Sequence, residues 1–148
     1  MKKLNLLIMI AAITVIGIAC SSKKATVVTN PSEITGKYWK LVELYGVRVS
    51  AEIAQTPYIL LTDGQISGSG GCNQLSGNYT IDKNANLISF SEMIMTQKVC
   101  FAENADSDLA KVLETTDNYS ISADGKQLTL NRLRMAPLAV FELGDFTK

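Results

Sequence analysis

The chain reads as an α+β protein, mostly antiparallel β: a curled sheet or small barrel-like body with one short helix inserted after the Cys100 strand. Three observations predict this. Apolar runs of strand length recur between turn chemistries at hairpin spacing, namely Asp63-Gly64, DKNAN (82–86) and ADGK (123–126). Only one segment, 104–114, carries a convincing helical period. At 148 residues there is room for one core and little more.

In chain order, KYWKLVEL (37–44) combines aromatic and branched side chains and reads as the first strand. Residues 58–62 and 65–68 flank Asp63-Gly64, the best short-range hairpin signal in the chain. Residues 78–81 and 87–90 flank DKNAN as a second hairpin, and EMIMT (92–96) continues as a strand. In NADSDLAKVLE (104–114), Asn104, Asp106 and Ser107 offer capping oxygens while Leu109, Val112 and Leu113 share one face. A short helix laid against the sheet is expected there. Residues 119–122 and 127–131 close a hairpin over ADGK, and LAVFEL (138–143) follows Pro137 as the last strand. No internal repeat and no second domain is visible.

Composition excludes several functions. Apolar residues form 47% of the chain and charged residues 19%, a balance that folds. All 14 acidic residues follow Cys20 whereas two of the 14 basic ones, Lys2 and Lys3, precede it, so a chain starting at Cys20 is acidic by two charges. Nothing in that balance draws in nucleic acid. Histidine is absent, which removes the usual general base near neutral pH, every His-dependent triad and the common zinc sites. The expectation is a non-enzymatic protein with no catalytic residue, no resident metal and no cofactor.

The opening, MKKLNLLIMIAAITVIGIAC, sets two lysines before an apolar run (6–19) that only Thr14 and Gly17 interrupt. The run is shorter than the about 20 residues of a spanning helix and has the layout of a secretory signal. Residues Ile16, Gly17, Ile18, Ala19 and Cys20 resemble the lipobox of bacterial lipoproteins, with Gly17 where Leu is commonest. That resemblance implies a lipoprotein signal peptide over 1–19, acylation of Cys20, palmitate included, and a lipidated polar tether over 20–32. Acyl chains contribute about 0.8 kcal/mol per buried methylene, so several of them anchor a protein without a spanning helix. No acidic residue follows Cys20 closely. By the sorting rules of that class, the anchor points to the outer membrane facing the periplasm.

GSGGCNQLSGNY (68–79) is the densest glycine stretch. A phosphate cradle needs its glycines to open a helix, whereas strand residues follow here and no GK[ST] is present. Gly68, Gly70, Gly71 and Gly77 are instead expected at positive φ or at close backbone approaches. With Cys20 set aside, Cys72 and Cys100 form an even pair, and in an exported protein an even pair reads as a disulfide. Closing that loop is expected to stabilise the fold by roughly 3–4 kcal/mol on the chain-entropy model. Two other readings stay open: a pair of buried free thiols, and a metal or redox site in which Met93 and Met95, on one side of a strand, add soft ligands for Cu(I).

Further constellations have plainer explanations. Asp106 and Asp108 suit the positive end of a helix better than a cation site. Trp39, with Tyr38 and Tyr45, reads as core or rim rather than as a ligand pocket. Arg132 and Arg134 read as the charged defence of an edge strand.

Taken together, Trp39, Leu41 and Gly46 in WKLVELYG, then Gly71, Cys72, Asn73, Gly77 and Tyr79, then Thr96 to Cys100 in TQKVC resemble the META/HslJ domain family. Its Trp-x-Leu opening, its GCN followed by Gly-x-Tyr, and its Thr-x-x-x-Cys occur in order, and the resemblance covers 33–142 of a domain expected over 33–145. It implies an antiparallel sheet with a helix, in small exported or lipid-anchored bacterial proteins, some linked to heat shock or antibiotic resistance. It carries over no catalytic residue. The resulting expectation is a cell-envelope protein with a stress-tolerance or binding role, its partners being membrane lipid through the acyl anchor and an unspecified protein or small ligand. The competing expectation is a small-ligand or copper-binding periplasmic carrier with a cavity inside the curled sheet.

Overall fold

Two-residue turns set the first hairpins. Strands β1 (Tyr38–Leu44) and β2 (Val47–Arg48) turn on Tyr45 and Gly46, and β3 (Tyr58–Thr62) and β4 (Gln65–Ser69) turn on Asp63 and Gly64. All four turn residues have positive φ, between 49° and 81°. That is the turn geometry whose twist matches a right-twisted strand pair. The remaining elements are β5 (Gln74–Asp82), β6 (Leu87–Met95), α1 (Asp106–Thr115), β7 (Asn118–Ile121), β8 (Gln127–Asn131) and β9 (Ala139–Gly144). The computed structural model describes residues 34–53, 55–82, 84–133 and 135–145. The expected signal peptide and tether, with Cys20, and also Arg134, lie outside them.

The described strands form one antiparallel sheet in the order β2-β1-β3-β4-β5-β6-β7-β8-β9, and β9 pairs again with β1 from Tyr38↔Gly144 to Leu44↔Ala139. The sheet therefore curls into a ring. Its thinnest junction is β6 with β7, joined by the single pair Leu87↔Asn118, and α1 packs on β6. A ten-residue helix is marginal by itself in water. Burial of Leu109, Val112 and Leu113 holds it, at about 1.5–3 kcal/mol for each side chain removed from water.

Alternation along the strands builds the core, and two bulges correct its phase. In β1 the inward residues are Trp39 and Leu41, then Leu44, because the register shifts between Leu41 and Glu43 and turns Glu43 outward. In β6 they are Ile88 and Phe90, then Met93 and Met95, with Glu92 at φ 53° as the extra residue. Gly77 faces that bulge on β5. A Cβ there would lie 2.5 Å from Met93 Sδ and 2.8 Å from Ser91 O, so only glycine lets the strands meet. Trp39, Phe141, Leu61, Leu128 and Leu130 fill the centre.

Several expectations need correction. Residues 87–90 and 92–95 belong to one strand, since a bulge bends a ladder without ending it, and Thr96 lies just past its end. Cys100 lies in the connection between β6 and α1, not on a strand. The two-residue β2 is too short to show a period. Helix α1 starts at Asp106 because Asn104 uses its side chain locally: Oδ1 accepts the Asp106 N–H at 3.3 Å and Nδ2 donates to Ala102 O at 3.2 Å. Arg132 follows β8, which has neighbours on both sides, so it guards no edge. The four glycines, by contrast, sit as expected: Gly71 has positive φ, 111°, and Gly68, Gly70 and Gly77 are close approaches.

Candidate functional site

Five of the family-type residues, Gly71, Cys72, Asn73, Thr96 and Cys100, converge where the β4–β5 loop meets the start of α1, whereas Trp39, Gly77 and Tyr79 lie elsewhere in the sheet. Within the loop, Ser69 Oγ donates to Asn73 O at 2.8 Å and accepts from the Gly71 N–H at 3.1 Å. The Ala105 N–H donates to Gly70 O at 2.7 Å, which draws the helix start onto the loop. Contact is so close that a Cβ on Gly70 would stand 2.3 Å from Asp106 Cα and 2.4 Å from its nitrogen.

Asp106 occupies the first position of α1, and its N-cap, Ala105, supplies no side-chain bond. The residue is 3% exposed. Instead of capping its own helix it reaches across to the loop: Oδ1 accepts the N–H of Cys72 at 3.3 Å and of Asn73 at 3.1 Å, while Oδ2 accepts Asn73 N–H at 3.0 Å and Asn73 Nδ2 at 2.8 Å. The helix dipole favours negative charge at this end, so the buried carboxylate is met by backbone donors and by the macrodipole together.

Asn73 uses its whole amide. Oδ1 accepts Thr96 Oγ1 at 2.9 Å and the Lys98 N–H at 2.7 Å; Nδ2 donates to Asp106 Oδ2 and, at 3.3 Å, to Cys100 Sγ. Two donors and two acceptors are what an amide offers, and neither Asp nor a hydrocarbon reproduces that set. Thr96 Oγ1 also accepts the Gln74 N–H at 3.1 Å, carrying the network to the base of β5.

Over this network lies the Cys72–Cys100 disulfide, with Cα atoms 6.1 Å apart. Of the three readings of the pair, the structure selects the crosslink. Cys100 Sγ sits 3.6 Å from Asp106 Oδ2. A disulfide sulfur has no proton, so this is contact rather than a hydrogen bond. Met93 and Met95 do face one way, as expected, but they pack against the core, with Met93 Sδ over Gly77.

The other proposed constellations separate. Trp39 is fully buried and donates Nε1–H to Ile34 O at 2.9 Å. Tyr38 stacks on Tyr58 with ring centroids 4.7 Å apart, and burial, with Tyr58 alongside, holds its hydroxyl above the usual tyrosine range. Tyr45 stands exposed on a rim depression of about 310 Å³ between the β1–β2 hairpin and the start of α1, where Asp108 also lies. Tyr79 belongs to the core. The larger concavity, about 560 Å³, spreads over outward-facing Leu60, Thr62, Gln65, Ser67, Asn78 and Ile94, whereas the ring's interior is filled by the apolar side chains described above.

Residues Asp106, Ser69 and Gly70 were the part of this site that sequence reasoning left out as a unit. Asp106 resembled a first-turn dipole acid, and its one local signal is that the preceding residue, Ala105, cannot cap.

Fold and site together define a small curled-sheet domain whose single described helix is clasped to a β-hairpin loop by a disulfide and a buried carboxylate–amide network. The chain belongs to the META domain family, whose model matches residues 32–145. Two solution NMR structures share the fold. One is 21% identical with a TM-score of 0.63, covering 81% of this chain and 99% of its own. The other, of a protein from Burkholderia xenovorans, is 18% identical with a TM-score of 0.63, covering 78% of this chain and 88% of its own. No curated protein matches the sequence.

Proposed function

We propose that this META-domain protein is a lipid-anchored component of the bacterial cell envelope, acylated at Cys20 and held at the periplasmic face of the outer membrane. There it serves a binding or stress-tolerance role rather than a catalytic one. One observation carries the non-catalytic part: the polar groups that chemistry would recruit, Asn73, Asp106, Ser69, Thr96 and both sulfurs, are spent on one another. A disulfide offers no nucleophilic thiolate, and a buried carboxylate held by three N–H donors is not turned to a substrate. The lipobox-like IGIAC supports the anchor.

Labelling cells with a palmitate analogue tests the anchor. The full chain is expected to incorporate label and fractionate with membranes, and Cys20→Ala to do neither. Equal labelling of the Cys20→Ala chain overturns the anchor, and turnover of any substrate by purified protein overturns the non-catalytic reading. For the role, wild type is expected to restore growth of a deletion strain under heat or envelope stress, and Cys20→Ala is not.

A further inference from the structure

The clasp places three ligand-capable atoms together: Cys72 Sγ, Cys100 Sγ and a carboxylate oxygen of Asp106 lie within 4.8 Å of one another. In the oxidised protein they cannot ligate, because each sulfur's valence is filled by the other. We propose that reduction of the Cys72–Cys100 bond converts the clasp into a thiolate–thiolate–carboxylate site for a thiophilic divalent cation, with Zn²⁺ as the representative. The reading does not depend on the anchor at Cys20.

The chemistry balances simply. A dithiol reductant supplies two electrons and two protons, leaves as its own disulfide, and gives two thiols. A cation then displaces one proton from each thiol to solvent and takes both thiolates and Asp106 as ligands. Such a set is ordinary zinc coordination: two soft sulfurs, one carboxylate oxygen and a fourth position for water. Cys72 and Cys100 are both half-buried, so the fourth position opens to solvent.

Preorganisation is the strongest argument. Asp106 is already buried and oriented by Asn73 N–H and Nδ2, and Asn73 is itself fixed by Thr96 and Lys98. Donors that hold a ligating carboxylate in place are what an outer shell provides. Reduction also leaves two thiols against a buried negative charge, and a cation relieves that juxtaposition. Met93 is not a ligand in this site, because its sulfur is turned to Gly77. The arrangement thus differs from the methionine-assisted copper set expected from sequence.

The test uses the full-length chain in detergent with Cys20→Ala, so that Cys72 and Cys100 supply the only thiols. Half is reduced with a phosphine and desalted without oxygen; half stays oxidised. Each is titrated with zinc alone against a chromophoric chelator, and stoichiometry is read by native mass spectrometry. The reduced chain is expected to take one zinc per molecule and the oxidised chain none. Asp106→Asn is expected to weaken binding at least about tenfold, the floor set by loss of even an outer-shell partner. Should that variant not fold, reduced Cys72→Ser replaces it, since it is no less constrained than the reduced parent; near-ultraviolet dichroism from Trp39 checks folding in every sample. Zinc held as well by the oxidised chain, or by Cys72→Ser as tightly as by the reduced parent, overturns the proposal.

Discussion

Replacing Asp106 with alanine is the sharpest probe of the clasp. The substitution removes the acceptor for Asn73 N–H at 3.0 and 3.1 Å, for Asn73 Nδ2 at 2.8 Å and, more weakly, for Cys72 N–H at 3.3 Å. A buried donor left unpaired costs about 1–3 kcal/mol, so two firmly buried donors imply a loss of about 2–6 kcal/mol. That is a large part of the 5–15 kcal/mol typical of a whole domain. Asp108 supplies the control, because it lies in the same first turn but is exposed. Its removal is expected to cost only the dipole contribution of about 0.3–1 kcal/mol. Trp39, the single tryptophan and fully buried, reports unfolding by its fluorescence in urea under non-reducing conditions. With a slope near 2 kcal/mol/M, Asp106→Ala is expected to lower the midpoint by about 1–3 M and Asp108→Ala by less than about 0.5 M. Equal midpoints for the two variants would refute the view that the carboxylate holds loop to helix.

Three further outcomes follow from the geometry. The double variant Cys72→Ser, Cys100→Ser opens a loop whose ends are 28 positions apart and is expected to lose roughly 3–4 kcal/mol, read by the same urea titration; an unchanged midpoint would deny the crosslink a stabilising role. Gly70→Ala meets backbone atoms of Asp106 that no side-chain rotation can move, so it is expected to destabilise by about 1–3 kcal/mol where an unhindered Gly→Ala change would stabilise slightly; a gain in melting temperature would contradict the close approach. Exposed Asp124 has its carboxyl held below the usual range by the Ser122 hydroxyl, then by the Lys126 N–H. Its favourable contribution is therefore present above the ordinary aspartate range and is lost as pH falls through the lowered value, and Ser122→Ala is expected to move the NMR-detected titration of Asp124 upward.

How much of this was readable beforehand differs residue by residue. The Asp63-Gly64 hairpin was legible because two adjacent positive φ values are a local demand that few residue pairs meet. The phase break in β6, from Ile88 and Phe90 to Met93 and Met95, is written in the sequence, but it reads equally as two strands until Gly77 is seen across from it. Asp106 was hidden for a different reason. A carboxylate in a first turn suits the dipole wherever it points, and its partners stand 33 and 34 positions earlier in the chain.

By itself, then, the sequence determined the fold class, the hairpin turns, the single helical face and the candidate cysteine pair, since each depends on neighbours a few residues apart or on counting. Tertiary structure alone decided the closure of β9 onto β1, the phase set by the bulges, and the meeting of Asn73, Asp106 and Cys100 in one clasp. These join residues distant along the chain. Which of them meet is fixed by how the curled sheet packs its core, and no local pattern encodes that.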